Sequence, residues 1–151
     1  EPYFGRGIEN LPPETYMDLT GEGGVAQKLD DKVFIEAMTK VANDLHAKGD
    51  AVIIGRGANQ ILADASNTLH VGLLAPMEVR VQTLMDREHF EREEAEIHVE
   101  ELERAREDFI QKFWKVHPSE PRHFHMTLNM GKMNPKTAAE VICHAAGDLT
   151  S

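Results

Sequence analysis

A short apolar run that breaks into a glycine-flanked turn constrains this chain more than any other feature: Ala51-Val52-Ile53-Ile54 leads straight into Gly55-Arg56-Gly57-Ala58-Asn59. An uninterrupted apolar run of this length, bounded by turn residues, reads as a strand buried on both faces, as in a parallel sheet covered by helices. In such sheets, ligands bind at the carboxyl ends of the strands. Arg56 therefore stands where an anion would sit.

The surrounding pattern alternates helices with short strands. Asp30 or Asp31 caps an expected helix whose apolar residues Phe34, Met38, Val41 and Leu45 recur at helical spacing, and Gly49 stops it. After the turn come a short helix around Gln60–Ala63 and a second buried strand over Leu69–Leu74. Pro76 suits the first turn of the next helix, where its missing N–H costs nothing, and Val79, Leu84 and Met85 give that helix an apolar side. A long charged helix is expected from Glu91 to Trp114, with Ile97, Leu102, Phe109 and Phe113 as its stripe. Phe124–Leu128 reads as a third strand. Asn134-Pro135 opens a last helix carrying Ala138, Val141, Ile142 and Ala145, closed by Gly147. This order predicts an α/β fold with a mainly parallel sheet.

No composition shift divides the chain, so residues 1–151 read as one domain. Residues 1–29 form a loop-rich leading segment, 30–90 the core, 91–118 the long-helix region, and 119–147 the last strand and helix. A formal net charge of −10 argues against nucleic acid as a partner, because phosphate backbones are bound by basic faces. It does not exclude a small anion, since arginines inside a cleft outweigh distant, screened carboxylates. The single cysteine, Cys143, provides neither a disulfide framework nor a zinc set, and its place in the last helix predicts a buried thiol. No apolar stretch reaches the roughly 18 residues of a membrane span, and no basic-then-apolar leader opens the chain, so no membrane partner and a cytoplasmic location are expected. The first residue is Glu1 rather than Met, which is compatible with a piece of a longer protein.

Arg87, Arg92, Arg104 and Arg106 lie along and just before the acidic long helix. Arginine forks match phosphate oxygens, and Glu103, Glu107 and Asp108 are close enough in sequence to orient them. Surface ion pairs at i,i+3 and i,i+4 would use the same residues. His70, inside a strand, reads as a satisfied core histidine. His123 and His125 read as surface or edge-strand histidines rather than a metal pair, because no third ligand follows at motif spacing.

Taken in order, Gly55-Arg56-Gly57-Ala58-Asn59, Leu69-His70-Val71, Ala75-Pro76-Met77-Glu78-Val79-Arg80, Glu103-Arg104-Ala105-Arg106 with Phe109, and then Pro121, Phe124, Thr127-Leu128-Asn129 and Asn134-Pro135 resemble the cytidylate kinase-like family of nucleoside monophosphate kinases. The resemblance covers about residues 33–146 and rests on order and spacing rather than on one motif. It implies a P-loop-kinase-like parallel sheet flanked by helices, with a long Arg-bearing lid helix, and transfer of the ATP γ-phosphoryl to CMP or dCMP with Mg2+. It implies that Arg56 grips the acceptor beside Gly57, with Asn59 a candidate for the base or sugar, and that Arg80 and Arg87 lie near the phosphates. Glu103 and Arg106 match the lid pattern Asp-x-x-Arg, and Arg104 and Arg106 would close over the transferred group as catalytic residues. Asn129, Gly131 and Lys132 match the loop that packs on the donor adenine. Two departures stand out: Gly57 replaces the Asp of cytidylate kinases proper, and His125 stands where the family commonly has Asp.

The donor phosphate loop of such kinases lies between the first strand and first helix, and no such element is legible here. Gly21-Glu22-Gly23-Gly24 has no apolar strand before it and no Gly-Lys-Ser/Thr after it, and Gly131-Lys132 lacks the rest of a Walker motif. The expected fold therefore has its first strand and P-loop outside this chain. Three explanations follow: a longer kinase, the one we expect; a homodimer that completes its sheet; or a degenerate homologue. The alternative function is a non-catalytic nucleotide-sensing or protein-interaction domain.

Overall fold

The computed structural model describes residues 25–149, with side chains from Asp31 onward. Helix α1 spans Val25–Lys48 and begins before the expected Asp30/Asp31 cap. Asp31 has another use: its carboxylate is buried and reaches Lys112 Nζ at 2.8 Å, tying α1 to the long helix. Gly49 ends α1 as expected, with φ of 70° and its N–H bonded to the carbonyls of Leu45 and His46. The Gly21–Gly24 stretch and the rest of the leading segment before Val25 lie outside the described residues.

Beyond a four-residue helix α2 (Ala58–Ile61), strand β1 covers Val71–Leu74, helix α3 Met77–Glu88 and helix α4 Arg92–Trp114. A 3₁₀ turn at Pro121–His123 leads to strand β2 (Met126–Asn129), and helix α5 closes the described chain at Pro135–Leu149. The two strands pair in parallel, with Val71 opposite Met126 and Leu74 opposite Asn129. Helices α3 and α4 make the crossover that a parallel pair requires. The α/β class with a small, helix-flanked parallel sheet therefore matches the sequence expectation.

The run Ala51–Ile54 departs from it. These residues join no ladder among the described residues, and Val52 and Ile54 are 71% and 73% exposed. Their apolar character favours a strand, but a strand also needs a neighbour to take its N–H and C=O groups, and none is described. β1 is likewise not buried throughout, with Leu73 and Leu74 exposed.

Packing is tightest in the α3–α4 hairpin. Val81 and Ala95 are sealed, Val99 is buried with them, and Met77, Leu84, Met85 and Phe90 close around the three. The buried stripe of α4 is Ala95, Val99, Ala105, Phe109 and Ile110, whereas Ile97 and Leu102, expected in it, are exposed. Alanine and valine at the contact let the helices approach closely, so the small residues rather than the large ones mark the face. On α5, Asn134 Oδ1 accepts the Thr137 N–H at 2.9 Å as an N-cap. The helix runs through Gly147 instead of ending there, and Cys143 is exposed rather than buried, because Ala138, Val141, Ile142 and Ala145 define the inner side.

Candidate functional site

The turn after Ile54 is unusual in its backbone. Gly55, Arg56 and Gly57 have φ of 68°, 59° and 68°, so an arginine is held in the left-handed region between two glycines. An L-residue other than Asn, Asp or Gly is uncommon there, and such conformations recur at ligand sites. The turn is closed by Ala58 N–H donating to the Gly55 carbonyl at 3.1 Å, and by the N–H groups of Gln60 and Ile61 donating to the Gly57 carbonyl at 2.9 Å each. Gly57 is buried, while Arg56 and Asn59 are half-buried. A side chain at position 57 is excluded twice over, by its φ and by the Trp114 indole, whose Cζ3 would lie 2.5 Å from an added Cβ. The aromatic ring at the end of α4 thus fills the space that the Asp side chain of cytidylate kinases proper would take at this position.

Across α3 and α4 the arginines divide into held and unheld groups. Arg80 Nη1 donates to Glu103 Oε2 at 3.0 Å, with its Nε buried and without a hydrogen-bond partner. Arg92 clasps Glu78 in a fork, at 2.9 and 2.5 Å, and also bonds Glu96 at 2.8 Å, which stiffens the hairpin. Those carboxylates raise the pKa of Arg92 further, and the Arg92 guanidinium in turn lowers that of Glu78. Arg106 Nη2 donates to the Pro118 carbonyl at 3.2 Å. The carboxylate of Glu103 therefore serves Arg80, not Arg106 as the lid pattern implies. Arg87 and Arg104 are exposed, and no ion pair among the described residues engages either. Arg104 and Arg106, about 200° apart around the helix, flank the buried line of Ala105 on its two sides.

The loops after β1 and β2 meet at the carboxyl edge of the sheet, where α/β proteins place ligands. Met130 N–H donates to the Leu74 carbonyl at 2.6 Å, and Gly131 packs against Pro76 so closely that an added Cβ would lie 2.5 Å from its Cδ. Asn129 is spent on the loop itself: its Oδ1 accepts the Gly131 N–H at 2.9 Å and its carbonyl the Lys132 N–H at 3.0 Å. Lys132 is exposed.

At the opposite edge His70 is buried, as expected of a core histidine, with Nε2 3.1 Å from the Leu62 carbonyl. His125 Nδ1 accepts the His70 backbone N–H at 3.0 Å, its own N–H donates to the His70 carbonyl at 2.8 Å, and the two rings stack with centroids 5.3 Å apart. An imidazole thus performs the acceptor role that a carboxylate could perform at this position. Burial and the neighbouring His125 lower the pKa of His70, while the Leu62 carbonyl opposes that shift. No group of three or more His, Cys, Asp or Glu side chains among the described residues is placed to hold a metal ion. The sequence marks Trp114 only as the end of the long helix and carries no signal of its contact with Gly57 or of the His70–His125 pairing; both depend on contacts between residues distant in the chain.

The model of the cytidylate kinase-like family matches residues 4–132. That span starts well before the residues that carry the resemblance and stops short of α5. A crystal structure of an uncharacterized protein from Eubacterium ventriosum ATCC 27560 superimposes with a TM-score of 0.67 over 95% of this chain and 77% of that one, at 20% identity, which shows a shared fold. No curated protein matches the chain. No helix among the described residues is long and apolar enough to cross a membrane. With the turn, the helical hairpin and the paired loops all falling inside a family match over most of its length, the chain belongs to the cytidylate kinase-like family.

Proposed function

We propose that the chain is part of a nucleoside monophosphate kinase-like phosphotransferase, in which Arg56 binds the phosphate of a CMP or dCMP acceptor. The observation that carries this reading is the left-handed Arg56 between Gly55 and Gly57, in a chain of this family. Transfer of a phosphoryl group needs positioning and charge stabilisation more than covalent help. Arg56 contributes a guanidinium fork carried on a constrained backbone; Arg104 and Arg87 contribute exposed guanidinium groups that can turn towards an arriving polyanion. Arg80, locked to Glu103, sets the geometry of the hairpin, and Arg106, anchored on the Pro118 carbonyl, sits where α4 meets the loop that follows it. The exposed Lys132 and the backbone of the Asn129–Gly131 turn supply the donor side, with Asn59 near the acceptor base or sugar. Magnesium would enter with the ATP phosphates, which supply oxygen ligands of the kind it prefers.

The reading is tested by following ADP formation from ATP and CMP in a coupled assay, alongside thermal shift with CMP, dCMP, UMP, AMP and ATP. ADP formation that depends on CMP supports it. Stabilisation by nucleotide without any ADP would instead identify a nucleotide-sensing domain.

A further inference from the structure

The contact between Gly57 and Trp114 links the acceptor turn to the helix that carries Arg104 and Arg106. A Cβ built on Gly57 would lie 2.5 Å from Cζ3 and 3.0 Å from Cζ2 of the indole, so the benzo edge of the ring fills the side-chain space of position 57. Trp114 is the last residue of α4, and Lys115 turns the chain away with φ of 59°. The ring is itself fixed: Phe109 and Phe113 meet it edge-on with centroids 5.7 and 5.9 Å away, and Phe109 in turn meets Phe34 of α1 at 6.1 Å. A flat, rigid side chain with few rotamers makes such contact at low entropic cost. Arg56 has a left-handed backbone with Gly57 next to it, so a ring packed on Gly57 bears on the turn from which the Arg56 side chain leaves.

Resting on the kinase-like reading, we infer that Trp114 is a positioning residue for the nucleotide acceptor: its indole holds the Gly55–Gly57 turn in shape and couples occupancy of Arg56 to the carboxyl end of α4. Large nucleotide-binding helices need a mechanical link to the acceptor if they are to close only over a loaded site. The Trp114 indole touches the turn from that helix.

Trp114 is the only tryptophan in the sequence, so emission excited selectively over the two tyrosines reports the surroundings of this ring. The full chain is titrated with CMP, with AMP and inorganic phosphate as comparators, while emission and thermal midpoint are followed in parallel. CMP should move both with one half-saturation concentration. Trp114→Phe keeps a ring beside Phe109 and Phe113 but is too short to cover Gly57; it should keep its far-ultraviolet circular dichroism and bind CMP about tenfold more weakly. A midpoint that rises with CMP while emission stays constant, or a Trp114→Phe variant that binds as tightly as the parent, overturns the inference and leaves the kinase-like reading standing. Should Trp114→Phe fail to fold, the parallel titration of the parent decides. If none of the nucleotides moves the midpoint, the kinase-like reading fails and this inference falls with it.

Discussion

The α3–α4 hairpin is rich in charged residues and the segment from Ala51 to Gly57 is mostly apolar, yet the hairpin has the sealed core and the segment lies open. In the hairpin, Val81 and Ala95 have almost no exposed surface, and the elements that cover them follow one another in sequence. In the segment, Val52 and Ile54 are 71% and 73% exposed, and Gly57 packs on Trp114, at the far end of α4. Local partners make a fold robust. Distant partners make a site adjustable, because each contact can be made or released without melting the hairpin.

The contrast is broken most severely by placing a charge on each side of it. Val81→Asp would bury a carboxylate with no partner and should cost more than about 4 kcal/mol, abolishing the cooperative thermal transition followed by circular dichroism. Val52→Asp, at an exposed position, should change stability by less than about 0.5 kcal/mol in a urea melt. A loss at Val52 comparable with that at Val81 would mean that the apolar run is covered in solution.

Gly57→Ala sharpens the comparison from the site's side. It adds a Cβ against Trp114 at a φ of 68°, and should cost about 1–3 kcal/mol by chemical denaturation. Part of that loss should return in the double variant Gly57→Ala/Trp114→Leu, since the steric part depends on the ring and the backbone part does not.

A smaller effect should appear on acidification. The pKa of His70 is lowered by burial in the folded state, so the unfolded chain binds the proton more readily. The contribution of this neutral ring is complete above the ordinary histidine pKa of about 6.5 and is lost as pH falls through the depressed folded value. Urea midpoints between neutral and mildly acid pH should therefore fall, and His70→Gln should flatten the slope. The least effect is expected of Arg92→Ala on the hairpin surface, with a slight drop in midpoint that added salt removes from the parent as well.

What could be read from the sequence follows the same division. The boundaries of α4, the N-cap at Asn134 and the stop at Gly49 rest on neighbours within a few residues, and each is found where its local signal places it. The α4 stripe was only half legible: periodicity picked out Phe109, but the buried face also includes Ala95 and Ala105, which carry little hydrophobic signal. The run at Ala51–Ile54 shows a strand's composition without a ladder, since composition cannot supply the neighbour. At the site, Arg56 and its glycines were legible because a left-handed turn demands glycine around it. The indole over Gly57, the exchange of Glu103 from Arg106 to Arg80, and the histidine pair were not, because each joins distant parts of the chain.

The account turns on the guanidinium of Arg56 as the group that takes the acceptor phosphate, and calorimetric titration of CMP into the parent chain and into Arg56→Asn addresses it directly. Asparagine tolerates the left-handed backbone while removing the charge, so the variant should melt close to the parent yet lose CMP binding by about two orders of magnitude. Undiminished CMP affinity in a folded Arg56→Asn protein would contradict the account.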